Sequence, residues 1–212
     1  MLVQPEGVGW IEVICGPMFS GKTEELIRRI KRAHIARQSV QVFKPVIDDR
    51  YSRTEICSHA GRTLEAVCVR DVSELRAAVR DTVKVVGIDE IQFFGDEVLA
   101  LCEELADRGV RVICSGLDQD SAANPFGPMP DLMAMAEFIT KQLSICVECG
   151  HPANRSHRVV DHSGGAQIQV GAADSYVALC RGCYNSARHL AAERARQTAL
   201  PLAPISDRED LS

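Results

Sequence analysis

Trp10-Ile11-Glu12-Val13-Ile14-Cys15 runs directly into Gly16-Pro17-Met18-Phe19-Ser20-Gly21-Lys22-Thr23, and Glu24 to Ala36 follows. The first six residues are mostly apolar and read as a short buried strand. The next eight, with a Gly-Pro pair and a second glycine, cannot be regular structure. Leu26, Ile27, Ile30 and Ala33 then recur at the spacing of one helix face. Arg28, Arg29, Lys31 and Arg32 occupy the remaining surface, and the expectation is a solvated helix face with no ligand.

Gly16 to Thr23 fits G-x-x-x-x-G-K-[ST], and each position has a physical reason. Gly16 and Gly21 permit backbone conformations and close approach that a side chain would block. Across the ATP-binding stretch Gly16, Pro17, Met18, Phe19, Ser20 and Gly21 the main-chain N–H groups, which Pro17 alone lacks, turn inward toward phosphate oxygens, at the positive end of the following helix. Lys22 adds a charge for the β- and γ-phosphates, and the Thr23 hydroxyl is placed for Mg²⁺. Lying between a predicted strand and a predicted helix, the motif predicts binding of a nucleoside triphosphate.

Working outward, Val40 to Phe43 and Val83 to Ile88 read as further strands, Gly95 to Arg108 as a helix stopped by Gly109, and Val110 to Leu117 as another strand. The strands are continuous apolar runs alternating with helices, which predicts an α/β fold with a parallel sheet covered on both faces. The third of these strands ends in Asp89-Glu90, at the edge where open α/β sheets place ligands. Asp89 is the expected partner of Mg²⁺. If successive side chains on the strand alternate, Glu90 faces elsewhere. There the reading forks: an ATPase uses such a carboxylate to orient water, a kinase to take a proton from an attacking hydroxyl.

After about Leu143 the character changes. Cys146-x-x-Cys149 and Cys180-x-x-Cys183, separated by 30 residues, supply four thiolates for a closed tetrahedral Zn²⁺ site of structural type. The long spacer predicts a functional loop clipped at its base. Tyr176 is the only Phe, Tyr or Trp between residues 144 and 183, which disfavours a nucleic-acid-reading zinc ribbon. A last helix is expected from Ser186 to Gln197, followed by a loose tail.

Composition bounds the rest. A chain of 212 residues with 46% hydrophobic and 25% charged residues is an ordinary globular protein, neither disordered nor collagen-like. No apolar run is long enough to span a bilayer, and the first residues do not read as a secretory signal, so a cytoplasmic protein is expected. A net charge of −5 disfavours a nucleic-acid partner. Nine cysteines, an odd number, argue against a disulfide framework. Cys15, Cys57, Cys68, Cys102 and Cys114 are read as small buried hydrophobes.

Taken together, GPMFSGKT (16–23), FKPVIDDRYS (43–52), IDE-x-QFF (88–94), GLD (116–118), PFGPMP (125–130) and the CxxC…VGAADSY…CRGCY segment (146–184) resemble the zinc-containing type II thymidine kinases over nearly the whole chain. The resemblance implies a RecA-like P-loop α/β domain (1–143), a zinc-binding lasso lobe (144–190) and a C-terminal helix end with tail (191–212). It implies Glu90 as general base and ATP·Mg²⁺ as donor, with Asp48, Arg50, Asp89 and Gln92 joining the phosphate loop at the ATP site. Gln167, Ile168, Gln169, Val170 and Gly171 would pair with the pyrimidine through their main chain, and Tyr176 would stand at the sugar. Phe94, Leu117, Ser121, Phe126 and Ser156 would line the nucleoside pocket. A homotetramer and feedback inhibition by thymidine triphosphate are also implied.

This sequence departs from the family pattern at Ser121, where a phenylalanine is usual, and at Ser156, where threonine is usual. Ala60 and Ile91 also depart from it. Three readings follow from the residues: a deoxynucleoside kinase; a P-loop ATPase whose zinc ribbon couples hydrolysis to conformational change or nucleic-acid binding; and a nucleotide-binding regulator that has lost transfer. None of the departures touches the residues expected to move the phosphoryl group.

Overall fold

A computed structural model describes residues 7–46, 55–57, 63–159 and 175–198. Asp48, Arg50, the 167–171 segment and the tail lie outside the described residues. In chain order the elements are β1 (Trp10–Cys15), α1 (Lys22–Ile35), β2 (Val40–Pro45), the short β3 (Glu55–Cys57) and β4 (Thr63–Glu65), β5 (Val67–Val69), α2 (Val72–Ala78) and β6 (Val85–Ile88). A 3₁₀ turn (Ile91–Phe93), α3 (Glu97–Asp107), β7 (Arg111–Gly116), α4 (Met129–Met135) and β8 (Phe138–Lys141) follow. The cysteine lobe contributes β9 (Ser144–Ile145), β10 (Pro152–Ala153), β11 (Arg155–Arg158), β12 (Tyr176–Leu179) and α5 (Arg181–Thr198).

The main sheet has six strands in the order β5-β2-β6-β7-β1-β8, and every pairing in it is parallel. Parallel strands need both faces covered, and alternation along each strand supplies two sets of apolar side chains. Ile14, Val85 and Ile113 face Leu26, Ile30 and Ala33 of α1. Val13, Val86, Ile88, Val112 and Cys114 face the opposite way, toward Leu75 of α2, Leu101 and Leu105 of α3, and Leu132 of α4. Cys15, Cys102 and Cys114 are fully buried, as expected of small hydrophobes, whereas Cys68 is only half-buried. Because the strands all run the same way, the residues following β1, β6, β7 and β8 gather on one rim of the sheet, beside the point where the strand order reverses.

Two expectations about helices are corrected. Arg29 of α1 is not on a solvated face. It lies 11% exposed and donates to Glu12 Oε2 (2.6 Å), Glu25 Oε1 (2.8 Å) and Thr140 Oγ1 (2.8 Å). Glu12 sits in the third position of β1, pointing under α1. It also accepts from Arg111 (2.6 and 3.1 Å) and from Trp10 Nε1 (2.7 Å). Burial alone would raise the Glu12 carboxyl, but the Arg111 and Trp10 hydrogen bonds, the Arg111 charge and the Arg29 hydrogen bond hold it below its ordinary value. A charge run read by sequence alone cannot reveal such a counter-ion, because Glu12 looks like one polar residue in an apolar strand.

The second correction concerns α5, which starts at Arg181 rather than near Ser186. Its first turn carries Cys183 and Tyr184, so the second cysteine knuckle is itself a helix start. The functional spacing masks the helical period there. Among the described residues, no helix is long and apolar enough to cross a membrane.

Candidate active site

The phosphate loop leaves β1 at Gly16 and closes into α1 at Gly21, which is in the left-handed conformation (φ 84°) as N-cap. At Gly16 (φ 141°) a Cβ would lie 2.2 Å from the Gln142 carbonyl oxygen, so the loop can pass β8 only with hydrogen at that position. Lys22 is buried. Its ammonium donates to the Pro17 carbonyl (2.8 Å) and is lowered by desolvation, against which the charges of Glu90, Asp89 and Asp118 act. Ser20 Oγ donates to the same carbonyl (2.8 Å).

Opposite the loop, Thr23 Oγ1 stands 3.5 Å from Asp89 Oδ2, and Asp89 Oδ1 accepts from Ser115 Oγ (2.7 Å). Asp89 is buried. Desolvation first, and then the neighbouring Glu90 charge, push its carboxyl up to about 7. Glu90 beside it is half-buried, and two adjacent carboxylates of this kind are relieved by a cation. Thr23 and Asp89 offer it a hydroxyl and a carboxylate, the oxygen set Mg²⁺ prefers.

Glu90 is not on the strand. β6 stops at Ile88, and Glu90 takes a left-handed conformation (φ 52°) uncommon for a residue with a side chain. The separation of the two acids therefore comes from this backbone turn, not from strand alternation. Gln92, expected at the nucleotide, spends its side chain elsewhere: Nε2 donates to Glu90 Oε2 (2.5 Å), and Oε1 accepts from Leu117 N (3.1 Å). Phe94 is buried against the core of α3 and the sheet. The half-buried aromatic pair is instead Phe93 with Phe126, edge-to-face at 5.4 Å between ring centroids. Nothing in the QFF string alone indicates which phenylalanine turns outward.

The cysteine lobe docks onto this rim. Ser156 Oγ accepts from the phosphate-loop Met18 N–H (2.9 Å), and Ser144 Oγ donates to Phe19 O (3.2 Å). Arg155 hydrogen-bonds Gln119, and Tyr184 Oη donates to Ser121 O (2.8 Å). The Ser121 turn is organised by Asp120, whose carboxylate accepts from Ala122 N and Asn124 N (both 2.9 Å). Ser121 and Ser156, both expected in the nucleoside pocket, also tie the lobe to the rim, through the Ser121 carbonyl and the Ser156 hydroxyl, and neither bond has a signal in the sequence. Tyr176 is half-buried on β12, paired with Arg158 of β11.

In the lobe, the sulfurs of Cys146, Cys149, Cys180 and Cys183 all lie within 4.8 Å of one another, with Cys149 and Cys180 3.6 Å apart. Four thiolates at ~2.3 Å from a tetrahedral zinc stand about 3.8 Å from each other, so the donor set fits that metal. A parallel sheet with a phosphate loop at its rim would serve many nucleotide enzymes; what narrows the choice is likeness over length. The thymidine kinase family model matches residues 9–184. The chain belongs to the thymidine kinase family. It is also 52% identical over 195 residues to a thymidine kinase of Deinococcus deserti, covering 85% of this chain and 96% of that protein. The thymidine kinase match spans both the phosphate-loop sheet and the cysteine lobe.

Proposed function

We propose that the chain transfers the γ-phosphoryl group of ATP to the 5′-hydroxyl of thymidine or deoxyuridine, in pyrimidine salvage for DNA synthesis. The observation carrying this reading is the Glu90 carboxylate on the same rim as the phosphate loop, near enough to act on the Lys22 charge and hydrogen-bonded by Gln92. The loop amides and Lys22 hold the β- and γ-phosphates. Thr23 and Asp89 would hold Mg²⁺, which when bound would neutralise charge on the phosphate oxygens. The 5′-oxygen attacks the γ-phosphorus as the bond to the ADP oxygen breaks, and Glu90 accepts the hydroxyl proton.

Asp48 and Arg50 complete the phosphate site in this proposal, and Gln167 to Gly171 close over the base, with Tyr176 at the sugar. Leu117, Ser121, Phe126 and Ser156 line the pocket, residues 1–143 carry ATP, and 144–190 shut out water. Zinc, when bound, supplies four thiolate bonds that shape the lobe and takes no part in transfer. Feedback by thymidine triphosphate, a homotetramer and a cytoplasmic location belong to the same proposal.

Incubation with γ-labelled ATP and thymidine tests it: label is expected in thymidylate. Label appearing only in free phosphate would mark an ATPase instead. Glu90→Gln is expected to keep nucleotide and thymidine binding while kcat falls about 10²- to 10⁴-fold. Wild-type turnover in that variant would remove the general-base role.

A further inference from the structure

We propose that Gln92 is a positioning residue that aims the Glu90 carboxylate, and that it is not a nucleotide ligand. This rests on the reading of Glu90 as the base. Glu90 sits in a left-handed conformation between the end of β6 and a single 3₁₀ turn. Such a conformation persists where its surroundings over-determine it. The backbone turn contributes Phe93 N to Glu90 O (3.2 Å) and Phe94 N to Ile91 O (3.0 Å), but these bonds do not restrain the Glu90 side chain. Gln92 does.

Gln92 is 2% exposed, and its amide bridges Glu90 to the main chain just past β7. The orientation is forced. The Leu117 N–H needs an acceptor and the Glu90 carboxylate needs a donor, so turning the amide over would break both bonds. Space is reserved for it as well. A Cβ at Gly116 would meet Gln92 Oε1 at 2.5 Å, and one at Gly127 would meet the Gln92 carbonyl oxygen at 2.4 Å. The end of β7 and the loop leading to α4 thus both leave room for this one residue. With both ends of its amide engaged and its surface enclosed, Gln92 reaches substrate only through Glu90.

Gln92→Glu separates the alternatives. It keeps the volume and an acceptor for Leu117 N–H, but replaces the donor to Glu90 with a second acceptor. The expected result is a loss of about a hundredfold in kcat for thymidine phosphorylation, with KM for ATP and calorimetric affinity for ADP·Mg²⁺ changed less than about twofold. A raised KM for ATP with kcat retained would make Gln92 a nucleotide ligand and overturn the proposal. So would unchanged kcat with only a lowered melting temperature.

A second measurement does not need turnover. The Gln92 side-chain amide resonance is expected to move strongly in Glu90→Ala and little on adding ADP·Mg²⁺; the opposite pattern refutes the proposal. A wild-type protein that labels no thymidylate would sink the kinase reading, while the resonance would still judge the Gln92–Glu90 bond.

Discussion

Around the phosphate loop, Val13, Val86, Ile88, Val112 and Leu101 are packed between sheet and helices in one continuous core, whereas the described part of the cysteine lobe buries only Cys146, Ala153, Ala178, Leu179 and Tyr184 in its own cluster. Burying a Val or Leu side chain is worth about 1.5–3 kcal/mol, so the sheet region can hold its geometry through apolar area alone. The lobe cannot. Its shape depends on four converging sulfurs, and its placement depends on hydrogen bonds that Ser144, Arg155 and Tyr184 donate to the rim and that Ser156 accepts from it. The site thus joins a rigid half, which presents the phosphate loop and the two acids, to a half held by a few specific bonds.

Removing the metal should break this comparison most sharply. Structural zinc in small modules is worth roughly 10–16 kcal/mol in apparent terms, as much as a whole domain's ~5–15 kcal/mol. Chelation, or Cys146→Ser, is expected to unfold the lobe and abolish transfer while ADP binding at the loop partly survives. Hydrogen exchange should show protection lost in β9–β12 and kept in β1, β6 and β7. Full activity in a sample shown to be metal-free, or equal loss of protection in both regions, would contradict the division.

Within the sheet region the next largest effect falls on Glu12. Glu12→Gln leaves Arg29 and Arg111 facing one another without their shared counter-ion. Breaking a buried pair from one side costs about 3–5 kcal/mol. The pH dependence has a definite sign. Glu12 is held below its ordinary value of 4.5, so its contribution is present above that value and lost as pH falls through the lower folded value. The gap in melting temperature between wild type and Glu12→Gln should be widest near neutrality and shrink in acid. A constant gap would mean that packing, not charge, is what the residue supplies.

Ser156→Ala sharpens the comparison from the other side, because the residue lies in the lobe while its partner is in the loop. Removing the acceptor of the half-buried Met18 N–H costs about 1–1.5 kcal/mol. The expected loss appears in nucleotide affinity, roughly tenfold by calorimetry, with zinc content unchanged. Loss confined to thymidine affinity would assign Ser156 to the base pocket alone.

The sequence made the sheet region legible because its signals are local: a strand, a glycine turn and an amphipathic helix stand next to one another from Trp10 to Ala36. The four cysteines were legible for a similar reason, since spacing within each pair states the chemistry. Pairings between distant residues were not. Glu12 with Arg111, Gln92 with Leu117, and Ser156 with Met18 join positions whose residue types are unremarkable on their own. The conformation of Glu90 was hidden as well, because a positive φ at a non-glycine is imposed by its surroundings rather than by the residue.

Tyr184 gives the smallest effect and the finest test of how the lobe is placed. Its ring belongs to the lobe's buried cluster and packs edge-to-face on His157 at 5.6 Å, while its hydroxyl reaches Ser121 O on the rim. Tyr184→Phe keeps the ring and removes only the hydroxyl, so the lobe's interior and its zinc affinity should be unaffected. One net hydrogen bond is worth about 1 kcal/mol, which should emerge as faster hydrogen exchange around residues 119–125 and a small drop in urea stability. The Asp120-centred turn supplies its own bonds to Ala122 and Asn124, so it should loosen without unfolding. If instead zinc affinity falls with the hydroxyl, the lobe's interior and its docking are one cooperative unit, and the division into a self-supporting half and a tethered half fails at its narrowest point.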